Sequence, residues 1–226
     1  MKKRISMILV GSLLLTSFND VKADLLKEQR EKMESFTSED SIMNNNTGKE
    51  SVKPVKLPQY YQADARWGSK RYGISNMKIS GCVPTSLSMV LSVLKEDVTP
   101  VQVADYIYNT STEMNTMFVG TSSDGAAAAI EHWGCNYRVI NSKEDLKAEL
   151  KKGNIIFGSV GHGLFVKGNG THAIILSGYQ NGKVHAIDPD NQEKTNKWYS
   201  IDEIWQQRSF EPEDNSVGGP FMVISK

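Results

Sequence analysis

Cys82 lies in Gly81-Cys82-Val83-Pro84-Thr85-Ser86, directly ahead of an apolar helical pattern. His172 follows much later in Gly170-Thr171-His172-Ala173-Ile174-Ile175, and Asp188 in Ala186-Ile187-Asp188-Pro189. A thiol, an imidazole and a carboxylate in that chain order are the working parts of a cysteine hydrolase. The thiolate attacks a carbonyl, the imidazole exchanges the proton, and a third group fixes the ring. Pro84 suits the first turn of a helix, where its missing N–H has no intrahelical partner, and Leu87, Val90, Leu91 and Leu94 then repeat at helical spacing. Cys82 is therefore expected at a helix N-terminus, where exposed N–H groups and the helix dipole favour a thiolate. Gly81 is read as leaving room for a substrate backbone.

His172 begins an apolar strand pattern, where an imidazole is out of place unless it is hydrogen-bonded, and Asp188 ends the next one, where a carboxylate is equally out of place. Singly, the two would be read as a satisfied core histidine and a strand-ending turn. Beside Cys82 they are read as base and orienter. Cys135 is read as a buried packing thiol rather than a disulfide partner, since a bridge would consume the nucleophile. His162, between two glycines, is read as an exposed loop residue. The four histidines lack short ligand spacing, so no metal or other cofactor is expected. Trp67 and Asp64 are expected to pin their own loop by packing.

Positioning these groups requires elements that the punctuation marks out. Thr99-Pro100-Val101-Gln102 is a capping box opening a helix through about Tyr108; Ser122 to Asp124 can cap a second over Ala126 to His132, stopped by Gly134. Ser142 opens a third, with Leu146 and Leu150 inward and Gly153 at its end. The period then changes to strands over Ile155 to Val160, His172 to Tyr179, Lys183 to Asp188 and Phe221 to Ile224, with Ser200 capping a short helix over Ile201 to Gln206. Helices first and an antiparallel sheet after them make an α+β layout, with the Cys82 helix packed on the sheet. A two-residue Asn181-Gly182 turn with an unbroken ladder would put His172 and Asp188 on opposite faces. Shared chemistry thus predicts a three-residue loop with Gly182 in a bulge, or an equivalent one-residue bulge within either strand.

The first 23 residues carry Lys2-Lys3-Arg4, a short apolar run from Ile5 to Leu15 and Val21-Lys22-Ala23 before Asp24. This reads as a secretory signal peptide cut after Ala23, its apolar run being too short for a membrane span. An uncleaved anchor is the competing reading. Cleavage would remove four basic residues (Lys2, Lys3, Arg4, Lys22) and one acid (Asp20), leaving 22 basic against 25 acidic. Without a cluster of Lys and Arg interleaved with aromatics, nucleic acid is not an expected partner. Residues 24–56 are polar, with Asn44-Asn45-Asn46, and read as a linker or, through the sparse stripe Leu25, Leu26, Met33 and Phe36, as a pro-segment. Residues 57–226 are the folded domain. The expected product is a secreted, extracellular bacterial monomer with no stable membrane anchor.

Residues 57 to 223 resemble the papain-fold cysteine peptidases of family 39 and their stand-alone relatives, the group that includes the leader-peptide peptidase domains of bacteriocin exporters. The stretches that carry the resemblance are Tyr60 to Gly68, Gly81-Cys82-Val83-Pro84-Thr85-Ser86, Leu146 to Gly153, and Thr171-His172-Ala173 through Gly178-Tyr179 to Asp188-Pro189. The resemblance implies a papain-like cysteine proteinase fold, Cys82 as nucleophile, His172 as general base, Asp188 as orienter, and Gln62 with the Cys82 backbone N–H as oxyanion donors. Gln59 is a nearby competitor for Gln62. The exporters' transmembrane and nucleotide-binding regions have no counterpart here, so their double-glycine leader substrate does not carry over. The resulting expectation is a secreted thiol protease acting on a peptide or protein through an acyl-thioester. Its rivals are an amidase, deamidase or acyltransferase on cell-wall or host-protein amides with the same triad, and a binding module on a catalytically retired scaffold.

Overall fold

In the computed structural model, which describes residues 51–226, helices fill most of the first half and strands the second. The expected signal peptide and nearly all of the linker lie outside the described residues. In order, the elements are β1 (Ser51–Val52), β2 (Arg71–Tyr72), β3 (Ser75–Asn76), α1 (Met77–Ser80), α2 (Cys82–Leu94), α3 (Pro100–Thr110), α4 (Ser123–His132), β4 (Asn136–Val139) and α5 (Lys143–Lys151). Then come β5 (Ile155–Val160), β6 (His172–Gln180), β7 (Lys183–Ile187), β8 (Lys197–Ser200), α6 (Ile201–Gln206), a 3₁₀ turn (Glu213–Asn215) and β9 (Phe221–Ser225). The main sheet runs β4-β9-β5-β6-β7-β8 and is antiparallel throughout, with β1 added to the far end of β6.

The period-two pattern of β6 divides the core. Ala173 and Ile175 face α2, α3 and α4 in one buried cluster with Leu87, Val90 and Ile130, while Ile174 and Leu176 join Leu146, Leu150 and Ile204 in a second. The sheet is therefore covered on both faces. Each fully buried aliphatic side chain contributes roughly 1.5–3 kcal/mol of transfer free energy, which favours this arrangement over the sheet alone.

The caps fall where the sequence puts them. Thr99 accepts from the Gln102 N–H and Gln102 reaches back to Thr99, Ser122 accepts from the Gly125 N–H, and Ser142 from the Asp145 N–H. Ser200 precedes α6 without a side-chain cap bond. Strands β4 and β8 are additions to the expected set: each has only four residues with alternating or partial exposure, too weak a pattern to separate from loop. The fold also begins earlier than composition suggests. Ser51 pairs with Gln180 and Val52 with Tyr179, so the last residues of the polar stretch form an edge strand instead of linker.

Between β6 and β7 the turn is the tight one, with Gln180 opposite Lys183 and Asn181 and Gly182 both at positive φ (49° and 79°). The three-residue loop is not formed. The ladder instead breaks at Gly178, where the register shifts between Ser177 and Tyr179. Gly178 has φ 71°, and a Cβ there would lie 2.7 Å from Pro54 N, so the bulge needs glycine for both its conformation and the passage of the chain after β1. Beyond the bulge Ile175 pairs with Ile187, which carries Asp188 opposite Ile174 and onto the face of His172.

Candidate active site

Helix α2 starts at Cys82, with Gly81 as its N-cap and no side-chain cap bond. The first N–H groups of the helix thus point toward the sulfur's surroundings without a competing protein acceptor at the cap. Gly81 also meets a packing requirement of its own. A Cβ there would sit 2.4 Å from Met77 O, and the Gly81 N–H donates to that same carbonyl at 2.8 Å. Glycine is required by the tight passage from α1 to α2, which sets where Cys82 emerges.

One turn further, buried Ser86 lies on the Cys82 side of α2, with Oγ 3.4 Å from the carbonyl of Ala173. This contact ties the helix to the strand residue next to His172. The sequence offers no signal for it beyond a serine in an apolar helix face.

His172 opens β6, and its Nε2 donates to Asp188 Oδ1 at 2.7 Å. The Cys82 side chain also acts electrostatically on the ring; with Nε2 engaged by Asp188, Nδ1 is the nitrogen left for sulfur. Burial pulls the imidazole toward its neutral form, but the bond to Asp188 and the influence of Cys82 outweigh it and leave the pKa pushed up from 6.5 to about 10. The side chain retains 11 % exposure against 1 % for Asp188. The imidazole is therefore held as an imidazolium at the edge of solvent, by a carboxylate with almost no contact with solvent.

Asp188 is itself fixed. Its Oδ1 also accepts from the N–H groups of Asp190 (2.8 Å) and Asn191 (3.1 Å), and its own N–H donates to Thr195 Oγ1 at 3.0 Å. The run Asp188-Pro189-Asp190-Asn191 signals such an Asx-type turn; the role of Thr195 has no sequence signal.

Gln62 is buried beside these groups. Its backbone N–H donates to Pro189 O at 2.8 Å and its side-chain Nε2 donates to Lys78 O at 2.9 Å, so Gln62 links the residue after Asp188 to α1, four positions before the thiol. An NH₂ group has two hydrogens, and the Lys78 bond uses one. Gln59 is turned elsewhere, accepting from Asn196 Nδ2 at 3.1 Å. Cys135 is a buried free thiol whose pKa burial pushes up, and Cys82 is free and partly exposed. His162 is exposed on its loop, with Nδ1 3.3 Å from Gly168 O. Trp67 Nε1 donates to Tyr61 O at 2.8 Å, and Asp64 grips Arg66, so both hold the Tyr60–Gly68 loop. Among the described residues no group of three His, Cys, Asp or Glu is arranged to hold a metal.

Above Cys82 and His172 opens a cleft of about 440 Å³. Part of its wall is the loop 118–121, which Asn115 anchors: Asn115 Nδ2 donates to Ser80 Oγ at 2.8 Å and its Oδ1 accepts from the Gly120 N–H at 2.8 Å. Asn115 is fully buried at φ 53°, a conformation Asn tolerates better than most residues. The arrangement can present a nucleophilic sulfur, a proton carrier and helix N–H donors to a carbonyl entering from solvent.

A family model described as the Peptidase_C39 like family matches residues 54–213. Among solved structures, one described as a C39-like peptidase from Bacillus anthracis superposes with a TM-score of 0.53 at 15 % identity, over 77 % of this chain and 98 % of that one. The peptidase domain of Streptococcus ComA, a bifunctional ABC transporter involved in quorum sensing, gives 0.47 at 17 % identity over 64 % of this chain and 90 % of that one. The first of these likenesses is one of fold. Among curated proteins none matches this chain in sequence.

Proposed function

The chain belongs to the Peptidase C39-like family, and from that premise we propose that it is a cysteine peptidase with Cys82 as nucleophile and His172 as general acid and base. Asp188 orients the imidazole, and Gln62 Nε2 with the Cys82 backbone N–H receives the oxyanion. The observation that carries this reading is the 2.7 Å bond from His172 Nε2 to Asp188 Oδ1, with His172 and Cys82 together lining a solvent-open cleft.

In the proposed cycle the Cys82 sulfur, as thiolate, attacks the scissile carbonyl carbon, and the carbonyl π electrons move onto oxygen. Preorganised N–H donors stabilise that charge where it develops. Collapse of the tetrahedral species breaks the C–N bond, and the departing amine takes the proton from the His172 imidazolium, leaving an acyl-thioester and a neutral ring. Water then attacks the thioester, His172 accepts its proton, and the second collapse releases the carboxylic acid and restores the thiolate-imidazolium pair.

Incubation of the protein with a mixed peptide pool tests the reading by mass spectrometry. New peptide termini that disappear with Cys82→Ala are expected. Hydrolysis confined to Gln or Asn side-chain amides, with chains left intact, would move the reaction to the amidase rivals.

The basic and apolar pattern of residues 1–23 supports action outside the cell after cleavage behind Ala23. Secreted protein should then begin at Asp24 by intact mass; material retaining Met1 to Ala23 would refute the secretory reading.

A further inference from the structure

The cleft over Cys82 and His172 is lined by two kinds of surface. Ile79, Val83 and Val119 supply apolar contacts, and Ile79 and Val119 remain largely exposed. Glu211, Glu213 and Asp214 supply three carboxylates, and among the described residues no Lys or Arg lines the cleft. These acids are not used to hold their own turn. Its bonds come from main-chain groups and neutral side chains: the Asp214 N–H donates to Glu211 O (3.2 Å), Asn215 Nδ2 to Ser209 O (3.1 Å) and Glu211 O (2.8 Å), and Ser123 Oγ to Glu213 O (3.2 Å).

Glu211 and Glu213 are exposed, whereas Asp214 is only 7 % exposed and its Oδ2 is buried with no hydrogen-bond partner. A carboxylate oxygen withdrawn from water without a donor is costly, and within a cleft of one sign of charge its natural complement is a cation brought by a ligand. The clustered acids alone would describe a solvated rim. A buried carboxyl that lines the cleft while its Oδ2 has no protein donor points to an occupant.

We propose that the cleft selects peptides carrying a Lys or Arg side chain near the bond to be cut, with Asp214 receiving the cation, Glu211 and Glu213 drawing it in, and Ile79 and Val119 covering apolar neighbours. The proposal rests on reading the cleft as a peptidase site.

The test uses fluorescent peptides, acetylated at one end and amidated at the other so that only side chains carry charge, in matched sets bearing Lys, Arg, norleucine or Glu at each position. Binding to the Cys82→Ala chain is read by anisotropy at low and high salt. At low salt the Lys and Arg peptides should bind about tenfold tighter than their norleucine partners, as a charge-assisted bond in a partly desolvated site would give. Asp214→Asn should remove most of that preference, read as the ratio of Lys or Arg to norleucine affinity within the same variant. Should that variant not fold, the doubly substituted Glu211→Gln/Glu213→Gln protein, altered at exposed positions, must lose part of the preference and of its salt dependence. Equal affinity for Lys and norleucine, a preference that survives these substitutions, or no binding of basic peptides would overturn the proposal. Wild-type protein assayed on the same peptides separates the two ideas. Charge-selective binding without cleavage would defeat the peptidase reading alone, and cleavage without charge preference would defeat the specificity alone.

Discussion

Replacing Asp188 by Asn and by Ala should give different losses, because a single oxygen of this carboxylate makes three bonds. Asp188 Oδ1 accepts from His172 Nε2 and from the N–H groups of Asp190 and Asn191, at 2.7, 2.8 and 3.1 Å. Asp188→Asn can keep an oxygen at that point and place its NH₂ where Oδ2 now stands, so the turn should survive at a cost of about 1 kcal/mol. Asp188→Ala strands both N–H groups and the imidazole. With hydrogen bonds to a charged group worth ~1.5–3 kcal/mol each, and with water able to reach exposed Asp190, the net loss should be ~2–4 kcal/mol.

Activity should separate in the same order. Asp188→Asn should retain kcat/KM within roughly tenfold, whereas the untethered ring of Asp188→Ala should lose on the order of a hundredfold, the scale for misplaced reacting groups. The pH dependence adds a readout that packing alone would not move. The pKa of His172 is raised from 6.5 to about 10, so the stability and the proton donor supplied by its charged form are complete below 6.5 and lost as pH rises through about 10. Without the carboxylate charge, the alkaline limb of kcat/KM in Asp188→Asn should fall between those two values. The assay is cleavage of one identified peptide across pH, paired with thermal melts. Equal impairment of the two variants, or an alkaline limb that does not move, would refute the reasoning.

Three further outcomes follow from the same geometry. Gly178→Ala should destabilise the domain by ~2–3 kcal/mol, combining left-handed strain with a contact 2.7 Å from Pro54 N; an unchanged melting temperature would mean the bulge is not needed. Gly81→Ala should cut kcat far more than it lowers stability, because the clash with Met77 O at 2.4 Å is relieved by moving the start of α2; wild-type turnover would show that Cys82 tolerates the shift. In native protein, iodoacetamide should modify partly exposed Cys82 well before Cys135, whose thiol burial holds protonated, with denaturation removing the difference; equally slow labelling of both would favour a retired scaffold.

The elements that carry the site were legible where local chemistry dictates them. Pro84 and the Leu87, Val90, Leu91 pattern mark α2, and the strand ends place His172 and Asp188. The constraint that these two share a face required a bulge, and a glycine inside the apolar run at position 178 is its usual mark, yet Asn181-Gly182 competed for the same role. The need for glycine at position 81 was only partly legible, because the carbonyl it must clear belongs to a short helix without periodicity of its own. Asn115, Ser86 and the 211–214 turn were invisible for a different reason. Their partners lie 35, 87 and 90 residues away in sequence, so only the assembled topology brings each to its partner.

The most direct measurement is capture of the covalent intermediate. Protein quenched in acid during turnover of a cleaved peptide should carry the acyl fragment on Cys82 as a hydroxylamine-labile thioester, located by peptide mapping, and Cys82→Ala should carry none and cleave nothing. An acyl group on any other residue, or cleavage that persists in Cys82→Ala, would contradict the account.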